Sequence, residues 1–311
     1  MFDRTWPQPV FRNRLIFPLS SEIASPTFHP TPRKHPMPSN LPLAIALTCA
    51  AAFTALPAAA QTTPPAAELT LARLDCGTPV LNLVARFNDT WAFTDNRVMF
   101  TFSCYLIKRG DEYMLWDTGH ALTAGAPAPK VSIVDQLAQI NVKPEQIKFV
   151  GISHYHADHT GQVASFPGAT VLIGKGDWDG ITAPRPNVGA SVAPFTHWIS
   201  GGGKLEALPG DKDVFGDGSV VILNTPGHTP GHRSLLVQLK GMGPVLISGD
   251  LTHFQENYAN NGVPTFNFHR GDTLASLDRF KTTAANLKAT VIIQHDARDV
   301  GKLPAWPASA K

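Results

Sequence analysis

From residue 69 onward, short apolar runs alternate with clusters of Gly, Pro, Asp and Asn, a pattern that predicts strands joined by turns. Segments 69–74, 80–84, 99–107, 112–116, 147–152, 170–173, 220–223, 234–239, 245–247 and 290–293 fit it. The turn Arg109-Gly110-Asp111 separates the third segment from the fourth. Two stretches instead repeat apolar residues at helical spacing. One is 131–140, through Ile133, Val134, Leu137, Ala138 and Ile140; the other is 272–287, through Leu274, Leu277, Phe280, Ala284 and Leu287. Region 182–203 is rich in Pro and Gly and reads as loop. Strands from both halves with helices between them predict a layered α/β domain.

The first sixty residues follow a different pattern. Residues 41–56 are apolar but too short to span a bilayer comfortably, and they end at Ala58-Ala59-Ala60 before the polar Gln61. That is the anatomy of a secretory signal peptide over 37–60, with a weak basic region before it. Cys49 follows Ala46-Leu47-Thr48, a poor lipobox. Residues 1–36 are proline-rich and lack a periodic pattern. They read as an upstream extension, disordered or preceding the true start. The expected folded domain is 61–311, in the periplasm or secreted, without stable membrane association after cleavage. Cleavage would leave Cys76 and Cys104, and an oxidising compartment permits them to pair. Two buried thiols are an equal alternative.

Composition narrows the class. The chain has 311 residues, 43% hydrophobic and 16% charged, which excludes a disordered chain. Three cysteines are too few for a disulfide-built scaffold. The net charge of +2 comes from the front: residues 1–60 hold five Lys/Arg and two Asp/Glu, leaving 21 and 22 in the rest. A near-neutral body gives no footprint for nucleic acid and suits a small, weakly charged substrate.

The chemistry is densest at His154-Tyr155-His156-Ala157-Asp158-His159, directly after the strand at 147–152. Neutral imidazoles and carboxylates are ligands for Zn²⁺. A tight turn at a strand end aims alternate residues at two neighbouring centres. His154 and His156 are assigned to one zinc, Asp158 and His159 to a second. Three further ligand-type residues stand just past apolar strands: His228 in Thr225-Pro226-Gly227-His228, Asp250 in Ser248-Gly249-Asp250, and His295 in Gln294-His295-Asp296. Open α/β sheets collect their sites at such strand ends. His228 completes the first zinc, His295 the second, and Asp250 bridges them.

The run HxHxDH followed by His, Asp and His resembles the metallo-β-lactamase-fold hydrolases over residues 69–311. Leu74-Asp75-Cys76-Gly77, Cys104-Tyr105-Leu106-Ile107, Trp116-Asp117-Thr118-Gly119 and the stretch 250–258 look most like the N-acyl-homoserine lactonase branch. The resemblance implies a four-layer αββα sandwich and two Zn²⁺ per chain, with other divalent transition metals also fitting. It implies a small-molecule lactone as substrate, opened by a hydroxide shared between the metals. A homodimer is left open. Asp158 is expected to carry the proton from nucleophile to leaving oxygen, and Asp117 to receive a hydrogen bond from a zinc-binding imidazole.

One position departs from that branch. Its members carry a tyrosine three residues after the bridging aspartate; this chain carries His253, which can still donate a hydrogen bond to a developing oxyanion. His120 and His232 are expected to be structural. Trp91, Trp178, Phe87, Phe254, Phe266 and Phe268 are candidate walls for an acyl chain. The alternatives are a β-lactamase, a thioester hydrolase of the glyoxalase II type, and a flavin-partnered oxygen reductase. The bridging aspartate argues against the first. The second expects a basic C-terminal segment that is not evident, and the third expects carboxylate-rich iron ligation.

Overall fold

The computed structural model describes residues 67–311. The expected extension and signal peptide, over 1–60, lie outside the described residues.

Two sheets carry the domain. The first has six strands in sequence order: β1 (Leu69–Leu83), β2 (Arg97–Arg109), β3 (Glu112–Trp116), β4 (Ile147–Ile152), β5 (Thr170–Gly174) and β6 (Leu205–Leu208). β1 to β3 pair antiparallel and β3 to β6 parallel. The second sheet, in the order β11-β10-β9-β8-β7, is built from β7 (Lys212–Asp213), β8 (Val220–Asn224), β9 (Arg233–Leu239), β10 (Gly243–Ile247) and β11 (Thr290–Ile292).

The layers follow from the period-2 alternation of the strands. Tyr105, Ile107, Met114, Trp116 and Leu172 face Leu235, Val237, Val245 and Ile247 in a core between the sheets. The intervening residues Leu106, Leu115, Val171 and Ile173 face the opposite way, with Ile133 and Leu137 of helix α1 (Ile133–Ala138). On the far side, Leu236 and Leu246 meet Leu277, Phe280 and Ala284 of helix α6 (Arg270–Leu287). The result is the αββα sandwich. Each fully buried aliphatic or aromatic side chain contributes about 1.5–3 kcal/mol. Among the described residues no helix is long and apolar enough to cross a membrane.

Several elements differ from the sequence reading. Segments 69–74 and 80–84 form one strand, β1, because the register shifts around Gly77 absorb the Gly-Thr-Pro break. β1 lies at the sheet edge, where a proline is tolerated. Region 182–203 is not all loop, since α4 (Thr196–Ile199) packs Trp198 into the core. Helices α2 (Ala157–Thr160), α3 (Lys175–Thr182) and α5 (Gln255–Asn260) and strands β6 and β7 were not anticipated. All are too short for a periodic signal. The two cysteines pair: Cys76 and Cys104 join β1 to β2 in a disulfide with their Cα atoms 5.8 Å apart.

Candidate metal centre

β4 ends against Asp117, whose Oδ1 accepts the Ser153 N–H at 2.7 Å. The chain then turns through His154, Tyr155 and His156 into α2, which carries Asp158 and His159. His228 follows β8 and His295 follows β11. Asp250 sits on the 3-10 turn Gly249–Leu251 after β10. Gly249 has φ +56°, and a Cβ there would press on the His232 ring.

These side chains form two groups, one of His154, His156, His228 and Asp250, the other of Asp158, His159 and His295. In the first, His156 Nδ1 lies 2.8 Å from His154 Nε2 and 3.0 Å from His228 Nε2. Asp250 Oδ2 lies 3.7 Å from His154 Nε2 and 3.4 Å from His228 Nε2. In the second, His159 Nε2 and His295 Nε2 are 3.1 Å apart, and Asp158 Oδ2 is 3.6 and 3.8 Å from them. Asp250 Oδ1 reaches this group, 2.8 Å from His295 Nε2 and 3.1 Å from His159 Nε2. All seven ligands expected from the sequence are brought together, and Asp250 gives one oxygen to each group.

The donor set fits a metal pair. Tetrahedral N and O ligands of zinc stand roughly 3.3–3.6 Å apart, within the range seen here. Four of the five rings have their other nitrogen occupied. His154 Nδ1 meets Ser153 Oγ at 3.0 Å, His159 Nδ1 meets Asp117 Oδ2 at 2.8 Å, His228 Nδ1 meets Asn267 Oδ1 at 2.8 Å and His295 Nδ1 meets Thr101 O at 2.7 Å. Such partners fix the tautomer and leave Nε2 lone pairs pointing inward. Asp250 Oδ1 is buried without a hydrogen-bond donor. A buried carboxylate oxygen among inward lone pairs calls for a cation.

The electrostatics differ between the two groups. Burial, reinforced by neighbouring imidazoles, holds His154 and His228 well below the usual histidine range and lowers His156, so these rings are neutral ligands. At His159 burial is outweighed by the Asp250, Asp158 and Asp117 carboxylates, which raise it. The surrounding imidazoles hold Asp250 well below its usual value against its burial.

The supporting shell is wider than the sequence suggested. Asp117 accepts from Ser153 N, His159 Nδ1 and Gln294 Nε2, and its φ of +60° is unusual outside glycine. His232, expected to be structural, accepts the Asp250 N–H at Nε2, 2.9 Å away. Asp177, on the unanticipated α3, accepts from Tyr155 N, Thr229 Oγ1 and Gly231 N. Burial pushes its carboxyl up to about 7. His253 turns Nε2 to Asp250 Oδ2 at 3.1 Å, while its Nδ1 is buried without a partner. His120 stays outside both groups, edge-on to Phe102.

A cavity of about 300 Å³ opens beside His156 and His228, walled by Tyr155, Asn187, Val188, Phe266 and Phe268. Of the six aromatic wall candidates, Phe266 and Phe268 therefore line it. Phe87 packs behind, 4.7 Å from the His253 ring and 5.8 Å from Phe266. Trp91 lines a different cavity of about 310 Å³ with Asn88 and Thr265. Phe254 and Trp178 are corrected to core roles, since Phe254 is fully buried and Trp178 packs on Phe195.

The model of the metallo-beta-lactamase superfamily matches residues 102–295. The chain belongs to the metallo-beta-lactamase superfamily. A relative in this superfamily, the N-acyl homoserine lactonase AttM of Rhizobium radiobacter, is 32% identical over 178 residues, 52% of this chain and 63% of that protein. The chain thus spans under two thirds of the AttM length. An N-acyl homoserine lactonase of a Bacillus species is 29% identical over 210 residues, 62% of this chain and 80% of that protein. The metallo-beta-lactamase fold recurs in the crystal structure of a quorum-quenching N-acyl homoserine lactone lactonase, with TM-score 0.67, 22% identity, and coverage of 78% of this chain and 98% of that one. It recurs in AidC, a dizinc quorum-quenching lactonase in complex with a product, with TM-score 0.58, 20% identity, and coverage of 78% and 90%.

Proposed function

We propose that this protein is a dinuclear zinc hydrolase that opens the ring of N-acyl homoserine lactones. The observation that carries the reading is Asp250, whose two oxygens serve two ligand groups beside an apolar-walled cavity. The lactonases AttM and AidC, similar in sequence or fold, support the choice of substrate. A β-lactamase is the second reading within the superfamily, and the bridging carboxylate speaks against it.

His154, His156 and His228 with Asp250 Oδ2 would hold one zinc ion, and Asp158, His159 and His295 with Asp250 Oδ1 the other. When bound, the pair supplies Lewis acidity and lowers the pKa of water at the site. Phe266, Phe268 and Val188 take the acyl chain and exclude water from one side of the lactone. Asp158, whose side chain is 21% exposed, takes the proton of the attacking water on a carboxylate oxygen and passes it to the ring oxygen as the ester bond breaks. His253, whose Nε2 faces Asp250 Oδ2 at 3.1 Å, would leave that contact to donate to the lactone carbonyl as charge develops there. The protein would act after export, in the periplasm or outside the cell, where the Cys76–Cys104 disulfide persists.

A substrate panel on purified protein tests the reading: acyl-homoserine lactones of several chain lengths, a chromogenic cephalosporin and a thioester. Lactone opening that is abolished in Asp250→Ala supports it. Cephalosporin or thioester turnover without lactone opening overturns it.

A further inference from the structure

Asp177 lies about twenty residues beyond the HxHxDH run, on the first turn of α3, and belongs to neither ligand group. Its carboxylate is fully buried and ties two separate loops together. Oδ2 accepts the Tyr155 N–H at 3.2 Å, between ligands His154 and His156, and the Thr229 hydroxyl at 2.8 Å, next to ligand His228. Oδ1 accepts the Gly231 N–H at 2.6 Å. The first loop comes from the six-stranded sheet and the second from the five-stranded sheet.

The contact is close-fitted. A Cβ on Gly231 would land on the Asp177 backbone nitrogen, and one on Gly176 would meet the Pro230 carbonyl at 2.8 Å. The buried Arg233 guanidinium, anchored on the Leu208 and Gly210 carbonyls, supplies a compensating positive charge. A buried carboxylate is costly unless hydrogen-bonded and paired, so this arrangement fixes the spacing of whatever it joins. None of these Asp177 bonds reaches Asp158, His159 or His295. Asp117 serves that second group, through His159 and Gln294.

We propose that Asp177 is the positioning residue of the His154–His156–His228 group, clamping its two loops at the separation one metal ion requires. The inference rests on the reading of that group as a metal site. Loss of the clamp lets the His228 loop drift from the His154–His156 turn and weakens that site alone.

The test compares wild type, Asp177→Asn and Thr229→Val as full chains. Metal content, chelator competition with Zn²⁺ and the histidine Nδ1–H signals in NMR are read for each. In Asp177→Asn the affinity of one of two sites falls about 10- to 100-fold. The His154 and His228 signals lose their zinc-dependent shift, while those of His159 and His295 keep theirs. Thr229→Val removes one donor, moves the same signals by a smaller amount, and decides the case if Asp177→Asn does not fold. Two sites of wild-type affinity, or equal weakening of both, overturn the proposal. Wild type that binds no Zn²⁺ overturns the metal reading beneath it.

Discussion

His232 receives the backbone N–H of Asp250 on its Nε2 at 2.9 Å. The ring donates from Nδ1 to the Thr225 carbonyl at 2.9 Å, so the strand pair β8–β9 sets the position of the carboxylate shared by both ligand groups. His232→Ala removes the acceptor that fixes the Asp250 backbone. Affinity for Zn²⁺ at both sites is expected to drop about 10- to 100-fold, read by chelator competition. Wild-type affinity in this variant would show that the turn at Gly249 places Asp250 unaided.

His253 has a different task. Its ring lies 5.3 Å from His228 and packs on Phe87, and its Nε2 stands 3.1 Å from Asp250 Oδ2. His253→Phe keeps the aromatic packing and removes the donor. We expect two metals per chain to remain and kcat for lactone opening to fall about 100-fold. His253→Tyr, restoring a donor, recovers much of that loss. An unchanged kcat in the phenylalanine variant would take His253 out of the chemistry.

On the proposed lactonase reading, the apolar wall sets chain-length preference. Phe266 and Phe268 are both more than half exposed. Burial of each methylene is worth about 0.8 kcal/mol. Phe268→Ala, which gives up contact with roughly two methylenes, lowers kcat/KM for a decanoyl lactone about tenfold relative to a butanoyl one. An equal loss for both substrates would place the acyl chain elsewhere.

The disulfide closes a loop of 28 residues between β1 and β2, next to the turn that carries Asp117. His120 N–H donates to the Cys76 carbonyl at 3.0 Å, which links the bridge to that turn. Loop closure of this length contributes about 3–4 kcal/mol. Denaturant unfolding of the Cys76→Ala/Cys104→Ala variant should show a loss of that size. Coincident unfolding curves for the two proteins would mean that the bridge does not form.

What was legible in the sequence divides along physical lines. The ligands were readable because each follows an apolar strand whose end fixes its direction. Asp117 was readable for the same reason, at the end of β3. Asp177 was not, because its partners Tyr155, Thr229 and Gly231 lie 22 to 54 residues away and its helix is short and polar. His232 was visible as a residue but not as an acceptor, since its partner is a backbone N–H. The break at Gly77 and Pro79 hid the continuity of β1, which only pairing with β2 reveals. Trp178 and Phe254 looked like wall residues because loops near the ligands carry them, and tertiary packing drew both into the core.

Asp250 offers one oxygen to each ligand group, and metal stoichiometry is the sharpest check that it joins two metal sites. Elemental analysis of purified wild type and Asp250→Asn, at matched folding by circular dichroism, gives the metal per chain. Wild type should hold about two ions per chain and the variant one or fewer. Wild type that opens lactones while holding no transition metal, or Asp250→Asn retaining both ions, would contradict it.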